Sequence, residues 1–245
     1  MKPILLVTSL ASALLFAACG GGGSSSSPEA TPATTQPSTP TTAASGSYDA
    51  LKAWTQLFST ARSWTVTGVG SDAKPYTLSL ATEPAGTAVF PLTGVSATKS
   101  IFRNVLTDGS TTQNVLNEQF LDAQYRMLGS RVTTDGGAPS CSKTEVVAAI
   151  PASAAPAGAT GPLYAATTFG DCVATGTALG TSYHTWSLLR ENGVVYLCVA
   201  SSNRFIGEAT DRLSETCVET DANGNLGAKA RIKLVLPGFR VIATN

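Results

Sequence analysis

From Trp64 onward the apolar residues of this chain recur at every second position. Trp64, Val66 and Gly68, then Tyr76, Leu78 and Leu80, alternate with Thr, Ser and Ala. A period of two sends successive side chains to opposite faces, which describes a half-buried β-strand and rules out a helix. The same reading predicts strands over Ser100 to Leu106, Thr112 to Leu121 and Tyr125 to Val132, with Thr107-Asp108-Gly109-Ser110 as a hairpin turn. The strongest hairpin signal joins His184 to Arg190 with Val194 to Ala200 through Glu191-Asn192-Gly193, because Asn-Gly supplies the positive φ angles of a type I′ turn. Two more strands, Leu213 to Thr220 and Ala228 to Leu236, flank Asp221-Ala222-Asn223-Gly224-Asn225. If they pair, Glu215 and Glu219 face the row of Lys229, Arg231 and Lys233 on the solvent side.

One stretch keeps a different period. Leu51, Trp54, Leu57, Phe58 and Ala61 recur at helical spacing, predicting an amphipathic helix from about Tyr48 to Arg62 with Ser47 as its cap. Residues 134 to 162 read as a loop, given Gly136-Gly137 and the prolines at 139, 151, 156 and 162, with a weak helical pattern from Lys143 to Ile150. Pro91 argues for a sheet edge nearby. The expected fold is mainly β: an antiparallel sheet, sandwich or half-barrel with one N-terminal amphipathic helix packed on it. Residues 47 to 245 number 199, within the size of a single β-rich domain.

The segment before that domain has its own logic. Lys2 precedes an apolar run from Ile4 to Phe16, followed by small residues, which is the order of a secretory signal over residues 1 to 18. As a helix the run would reach only ~20 Å, against a hydrocarbon core ~30 Å thick. Phe16-Ala17-Ala18-Cys19 resembles the lipobox of bacterial lipoproteins, with Phe16 where Leu is usual. The resemblance covers Met1 to Cys19 and implies that Cys19 is diacylated and becomes the mature N-terminus. Gly20 stands where Asp typically marks retention in the inner membrane, so the resemblance implies the outer membrane, facing the periplasm or the cell surface. Residues 20 to 46 are almost entirely Gly, Ser, Thr, Pro and Ala, a composition that builds no core. Fully extended at ~3.3 Å per residue, this linker would span ~90 Å.

The remaining cysteines, Cys141, Cys172, Cys198 and Cys217, lie in a chain addressed to an oxidising compartment, so two disulfides are expected. Three pairings are open; the sequential one is preferred, because Cys198 and Cys217 fall in neighbouring predicted strands. Charged residues make up 13% of the chain, 16 basic against 16 acidic. With no basic excess, nucleic acid is not an expected partner.

No catalytic constellation can be assigned. Gly68-Val69-Gly70-Ser71-Asp72-Ala73 fits G-x-G-x-x-A, but Lys74-Pro75 is a turn and Tyr76 restarts the strand, leaving no helix N-terminus for a pyrophosphate. Ser-x-x-Lys occurs at Ser71, Ser96 and Ser140, and Ser201-Ser202-Asn203 mimics a second motif of penicillin-recognising enzymes, yet Lys-Thr-Gly is missing and so is the helix each serine needs. His184 is the only histidine, sits in a predicted strand and has no G-x-S-x-G beside it. Asp221-x-Asn223-x-Asn225 starts like a calcium loop but has Leu226 and Ile232 where Gly and Glu are needed, so no metal or cofactor is expected. The expected function is that of an anchored, non-catalytic envelope module for binding or structural interaction with a protein or glycan. Two other readings stand beside it: a carrier or chaperone for apolar ligands, and a hydrolase whose carboxylates leave no sequence trace.

Overall fold

The alternation that begins near Trp64 becomes a ladder of strands that closes on itself. The computed structural model describes residues 46–147, 150–173 and 176–245. Cys19, the signal segment and the linker up to residue 45 lie outside the described residues. In chain order the elements are β1 (Ser47–Tyr48), α1 (Ala50–Ser59), β2 (Arg62–Gly70), β3 (Pro75–Val89), β4 (Ser96–Thr107), β5 (Thr112–Leu121), β6 (Met127–Thr134) and β7 (Ser140–Val147). They continue with β8 (Ala155–Pro156), β9 (Thr160–Phe169), β10 (Ala178–Glu191), β11 (Val194–Phe205), β12 (Arg212–Thr220), β13 (Leu226–Leu236) and β14 (Phe239–Thr244).

Twelve of these strands form one closed antiparallel barrel in the order β10-β11-β12-β13-β14-β2-β3-β4-β5-β6-β7-β9, while β1 and β8 pair separately. The domain is thus mainly β with one helix among the described residues, and its sheet closes completely instead of stopping as a sandwich or half-barrel. The seam lies between β14 and β2, where Val241 faces Gly70 and Ala243 faces Gly68. A Cβ on Gly68 would overlap the carbonyl oxygen of Ile242 and come within 2.9 Å of the Ala243 Cα. The glycines that mimic a dinucleotide motif are therefore the contact at which the barrel shuts.

Each strand buries alternate residues inward. Trp64 and Val66 on β2, Leu78 and Leu80 on β3, and Ile232 and Leu234 on β13 belong to one core inside the barrel. A smaller cluster lies on the outer wall, where Phe90 at the β3–β4 hairpin folds back against Phe120 with ring centroids 5.0 Å apart. Gly129 makes room for it, since a Cβ there would overlap the Phe90 ring. Pro91 belongs to this hairpin tip and marks no sheet edge, because the barrel has none.

The two disulfides join Cys141 to Cys172 and Cys198 to Cys217, the sequential pairing. Cys198 and Cys217 face each other directly across β11 and β12. Asn192 and Gly193 take φ values of 51° and 79°, as the type I′ hairpin requires. Glu215 lies opposite Lys233 and forms an ion pair with Arg231, so the acidic and basic rows meet as expected.

Three expectations need correction. The helix is shorter than Tyr48 to Arg62, because Ser47 and Tyr48 are extended against Pro156 and Ala155. Its cap is Asp49, whose carboxylate accepts the Lys52 backbone N–H at 2.9 Å, and not Ser47. The supposed loop over residues 134 to 162 contains β7 and the start of β9, and Lys143 to Val147 are strand, not helix.

Substituting Gly68 by Ala should act on the seam itself. Overpacking of a close backbone contact costs about 1–3 kcal/mol, and a chemical-denaturation midpoint should fall accordingly. An unchanged midpoint would show that the seam does not depend on this contact.

Candidate functional site

The most enclosed chemistry in this protein lies inside the barrel, where α1 enters one end. Ala50, Ala53, Trp54, Leu57 and Phe58 put the apolar face of α1 into the core. Hydrogen bonds hold it there. The Trp54 indole N–H donates to the carbonyl of Tyr125 at 2.9 Å, and Gln56 accepts the backbone N–H of Leu226 at 3.2 Å. The backbone N–H groups of Asp49 and Leu51 donate to the carbonyls of Ala222 and Ala152. Gly224 permits this approach, since a Cβ there would overlap the carbonyl oxygen of Asp49.

Beyond the helix the barrel interior changes character. Away from the helix the inward-facing residues of β10, β11 and β12 include Ser182, His184, Ser201, Asn203, Arg212 and Ser214, all buried. His184 shares a hydrogen bond of 3.0 Å between its Nε2 and the Ser182 hydroxyl. Ser201 and Ser214 share another at 3.0 Å, and Asn203 donates to the Ser201 oxygen at 3.1 Å. On β6 and β7, Ser130 and Ser142 pair in the same way. Tyr164 stacks flat on His184, centroids 4.0 Å apart and planes 15° from parallel. This wall is polar and carries one formal charge, the guanidinium of Arg212 opposite Asn203, which is ion-paired with Glu208. Burial pushes the His184 imidazole down to about 3, so it is neutral at physiological pH, and burial also raises the Tyr164 hydroxyl above its usual range.

Between helix and polar wall lies a cavity of about 90 Å³. Trp54, Leu57, Phe58, Leu80, Phe102 and Met127 give it an apolar side, and Asn104, Asn117, Gln119 and His184 a polar one. Among the described residues no Asp, Glu, Lys or Arg lines it. Asn117 lies on the inward face of β5, opposite Phe102 and Val132, and its Oδ1 is fully buried with no hydrogen-bond partner among the described residues. A second concavity of about 220 Å³ lies on the outer wall, where Tyr183 is 66% exposed beside Thr185, Leu213, Glu215 and Lys233.

The residues weighed in the sequence are not brought together. Ser71 is in the β2–β3 turn, Ser96 begins β4 and Ser140 begins β7, so none precedes a helix. Asp221 spends its carboxylate on its own turn, accepting the backbone N–H groups of Asn223 and Asn225 and the Asn225 side chain. Hydrogen bonding to Asn225 holds its carboxyl below the usual range. His184 alone among these residues lines the internal cavity. Asn117 escaped the sequence reading because a single Asn within a strand pattern carries no signal of what it faces. No family model, curated protein or solved structure matches the chain.

His184 makes the acid side of stability testable. Its folded value lies below the unfolded one near 6.5, so between about pH 6.5 and 3 the unfolded state binds the extra proton, and stability falls as pH falls. Across that window the slope should reach at most about 1.4 kcal/mol per pH unit. His184→Gln should flatten the fall in denaturant stability between pH 6.5 and 4 relative to wild type. Parallel profiles for the two proteins would mean that the imidazole is not held neutral by the fold.

Proposed function

We propose that this chain is an outer-membrane lipoprotein whose barrel is a non-catalytic binding module of the cell envelope. The observation that carries the reading is the chemistry of the outer wall. A barrel that crosses a bilayer needs an outward apolar band about 25 Å tall. Here the outward positions include Thr65, Thr67, Thr77 and Ser79, with Lys99 and Arg131 paired to Glu118 across β4, β5 and β6. Such a wall favours water, and a barrel facing water needs another route to the membrane. Acylation of Cys19 would supply it, because each buried CH₂ contributes ~0.8 kcal/mol and two or three chains hold firmly. The two disulfides fit the same oxidising compartment.

Binding is preferred to catalysis because the internal cavity is lined by no carboxylate, and a hydrolase of the two-carboxylate kind needs a pair of them at one cleft. Carriage of lipid-sized apolar ligands is the weaker alternative. The cavity of about 90 Å³ is well below the ~300–1,000 Å³ typical of pockets for larger ligands, and one of its sides is polar. Contact with an envelope protein or glycan would use the outer wall, where Tyr183 offers an exposed aromatic face.

Expression in a Gram-negative host with an alkyne-labelled fatty acid tests the anchor. The wild-type chain should be labelled and sediment with outer membranes, while Cys19→Ala should lose the label and appear in the soluble envelope fraction. A variant that stays membrane-bound would overturn anchoring through Cys19.

A further inference from the structure

We propose that the concavity on the outer wall over β10 to β13 is a binding site for an acidic sugar, a uronate residue of an envelope glycan, with its ring on Tyr183 and its carboxylate at Lys233. The proposal rests on the reading of the barrel as a binding module and names the ligand its outer wall takes; it does not depend on the lipid anchor.

Three observations define that chemistry. The first is the aromatic ring. Tyr183 points outward on β10, opposite Ser202, and is 66% exposed where it lines the concavity of about 220 Å³. A pyranose carries polarised C–H groups on one face, the negative face of an aromatic ring attracts them, and tyrosine loses little conformational freedom in providing that face. Leu213, opposite Ser202 on β12 and 41% exposed, extends the apolar surface. The second is the cation. Thr185, Ala200, Glu215 and Lys233 lie in one cross-strand row of the same concavity. Glu215 stands opposite Lys233 but gives its carboxylate to Arg231 at 2.5 Å, and Arg231 also pairs with Glu191. Lys233 is left with no ion-pair or hydrogen-bond partner among the described residues. A half-buried ammonium beside a carboxylate that is already neutralised favours an anionic group on the guest. The third is hydrogen-bonding capacity. The Thr185 hydroxyl has no partner among the described residues, and the Ser202 oxygen, which donates to Asp211 at 2.6 Å, can still accept.

Size and surroundings favour a sugar over a protein. A cavity of about 150 Å³ accepts benzene, so about 220 Å³ suits one substituted six-membered ring. Ala200, with the smallest side chain in its row, leaves the floor between Tyr183 and Lys233 open. Stable protein contacts bury about 800 Å² per partner around an apolar centre. The outward neighbours of Tyr183 are instead Ala165, Thr181, Thr185 and Ser202, all small or polar. The Cys198–Cys217 disulfide joins β11 to β12 one outward row away, so the site is carried on braced strands.

Methyl glucuronide, methyl glucoside and cyclohexanecarboxylate separate these contributions. The first has ring, hydroxyls and carboxylate; the second lacks the acid and the third lacks the sugar hydroxyls. The full chain, labelled with ¹⁵N and held in micelles of an uncharged detergent without a sugar headgroup, is titrated with each near neutral pH while backbone amide signals are followed. The glucuronide should shift the amides of Tyr183, Ala200 and Leu213 saturably, and the other two should bind at least about fivefold more weakly. Tyr183→Ala should weaken the glucuronide about tenfold. Lys233→Gln should bring the glucuronide down to the level of the glucoside and leave the glucoside unchanged. The assignment is overturned by the absence of a saturable shift at these positions up to about 50 mM, by equal affinity for acid and neutral sugar, or by an acid preference that survives Lys233→Gln. Cyclohexanecarboxylate binding as tightly as the glucuronide would also overturn it, in favour of an apolar acid such as a peptide carries. If either variant does not fold, the comparison of the three ligands on the wild-type chain still decides. Absent binding with intact acyl labelling removes this inference only, whereas loss of labelling with intact binding removes the anchor only.

Discussion

Everything inside this barrel depends on four residue pairs at the β14–β2 seam, from Val241 opposite Gly70 to Thr244 opposite Thr67. Until they form, β14 and β2 are sheet edges whose N–H and C=O groups are open to any other strand. Once they form, the ladder has no end and the lumen exists. The seam is short, so it depends on how closely the two backbones can approach. Gly68 decides that approach, because any side chain there would meet the Ile242 carbonyl. Gly180 allows a similar approach to Arg204 between β10 and β11.

Closure with twelve strands creates a problem that fewer would not. Eight strands enclose an interior that side chains can just fill, and diameter grows with strand number. Here the fold fills the excess with α1 at one end, seated by Trp54 and Phe58 and fixed by the Tyr125 and Leu226 hydrogen bonds. Elsewhere it uses short polar side chains that bond to one another, as Ser201 does with Ser214 and Asn203. The cavity lies where these two solutions meet. Its mixed lining follows from that position: the helix supplies aromatic rings and the strands supply amides and an imidazole.

The same division explains which parts of the fold the sequence made legible. β5 matches its expected bounds of Thr112 and Leu121, and the β10–β11 hairpin was marked by Asn192-Gly193. On β2, β3 and β13 most inward residues are apolar, so period-two alternation reports the true faces. On β7 the inward residues are Ser140, Ser142 and Thr144 while Cys141 and Lys143 point out, and no hydrophobic alternation survives. Pro162 deepened the error by arguing against a strand, yet it sits at the register shift of β9 against β10, where a missing N–H is tolerated. The site was illegible for the same reason as its wall. Asn117 and His184 are residues that a solvent-facing strand position would also accept, and only closure turns their faces inward.

If the barrel is a binding module, as proposed, its lack of edges restricts how it can bind. Addition of a partner strand to a sheet edge, a recurring way in which β-domains take up peptides, has no place to start on the closed barrel. Recognition must go through side chains, either on the outer wall or in the lumen. The outer wall is already committed in part to internal charge pairing, with Glu118 shared between Lys99 and Arg131 and Glu215 paired to Arg231. The lumen combines apolar and hydrogen-bonding side chains inside a wall that the two disulfides and the seam hold together. Close-packed interiors yield little to added volume and disfavour an unpaired charge, which bounds what such a lumen could hold. The feature that makes the barrel hard to read from sequence is therefore one that only closure creates, a polar face turned inward.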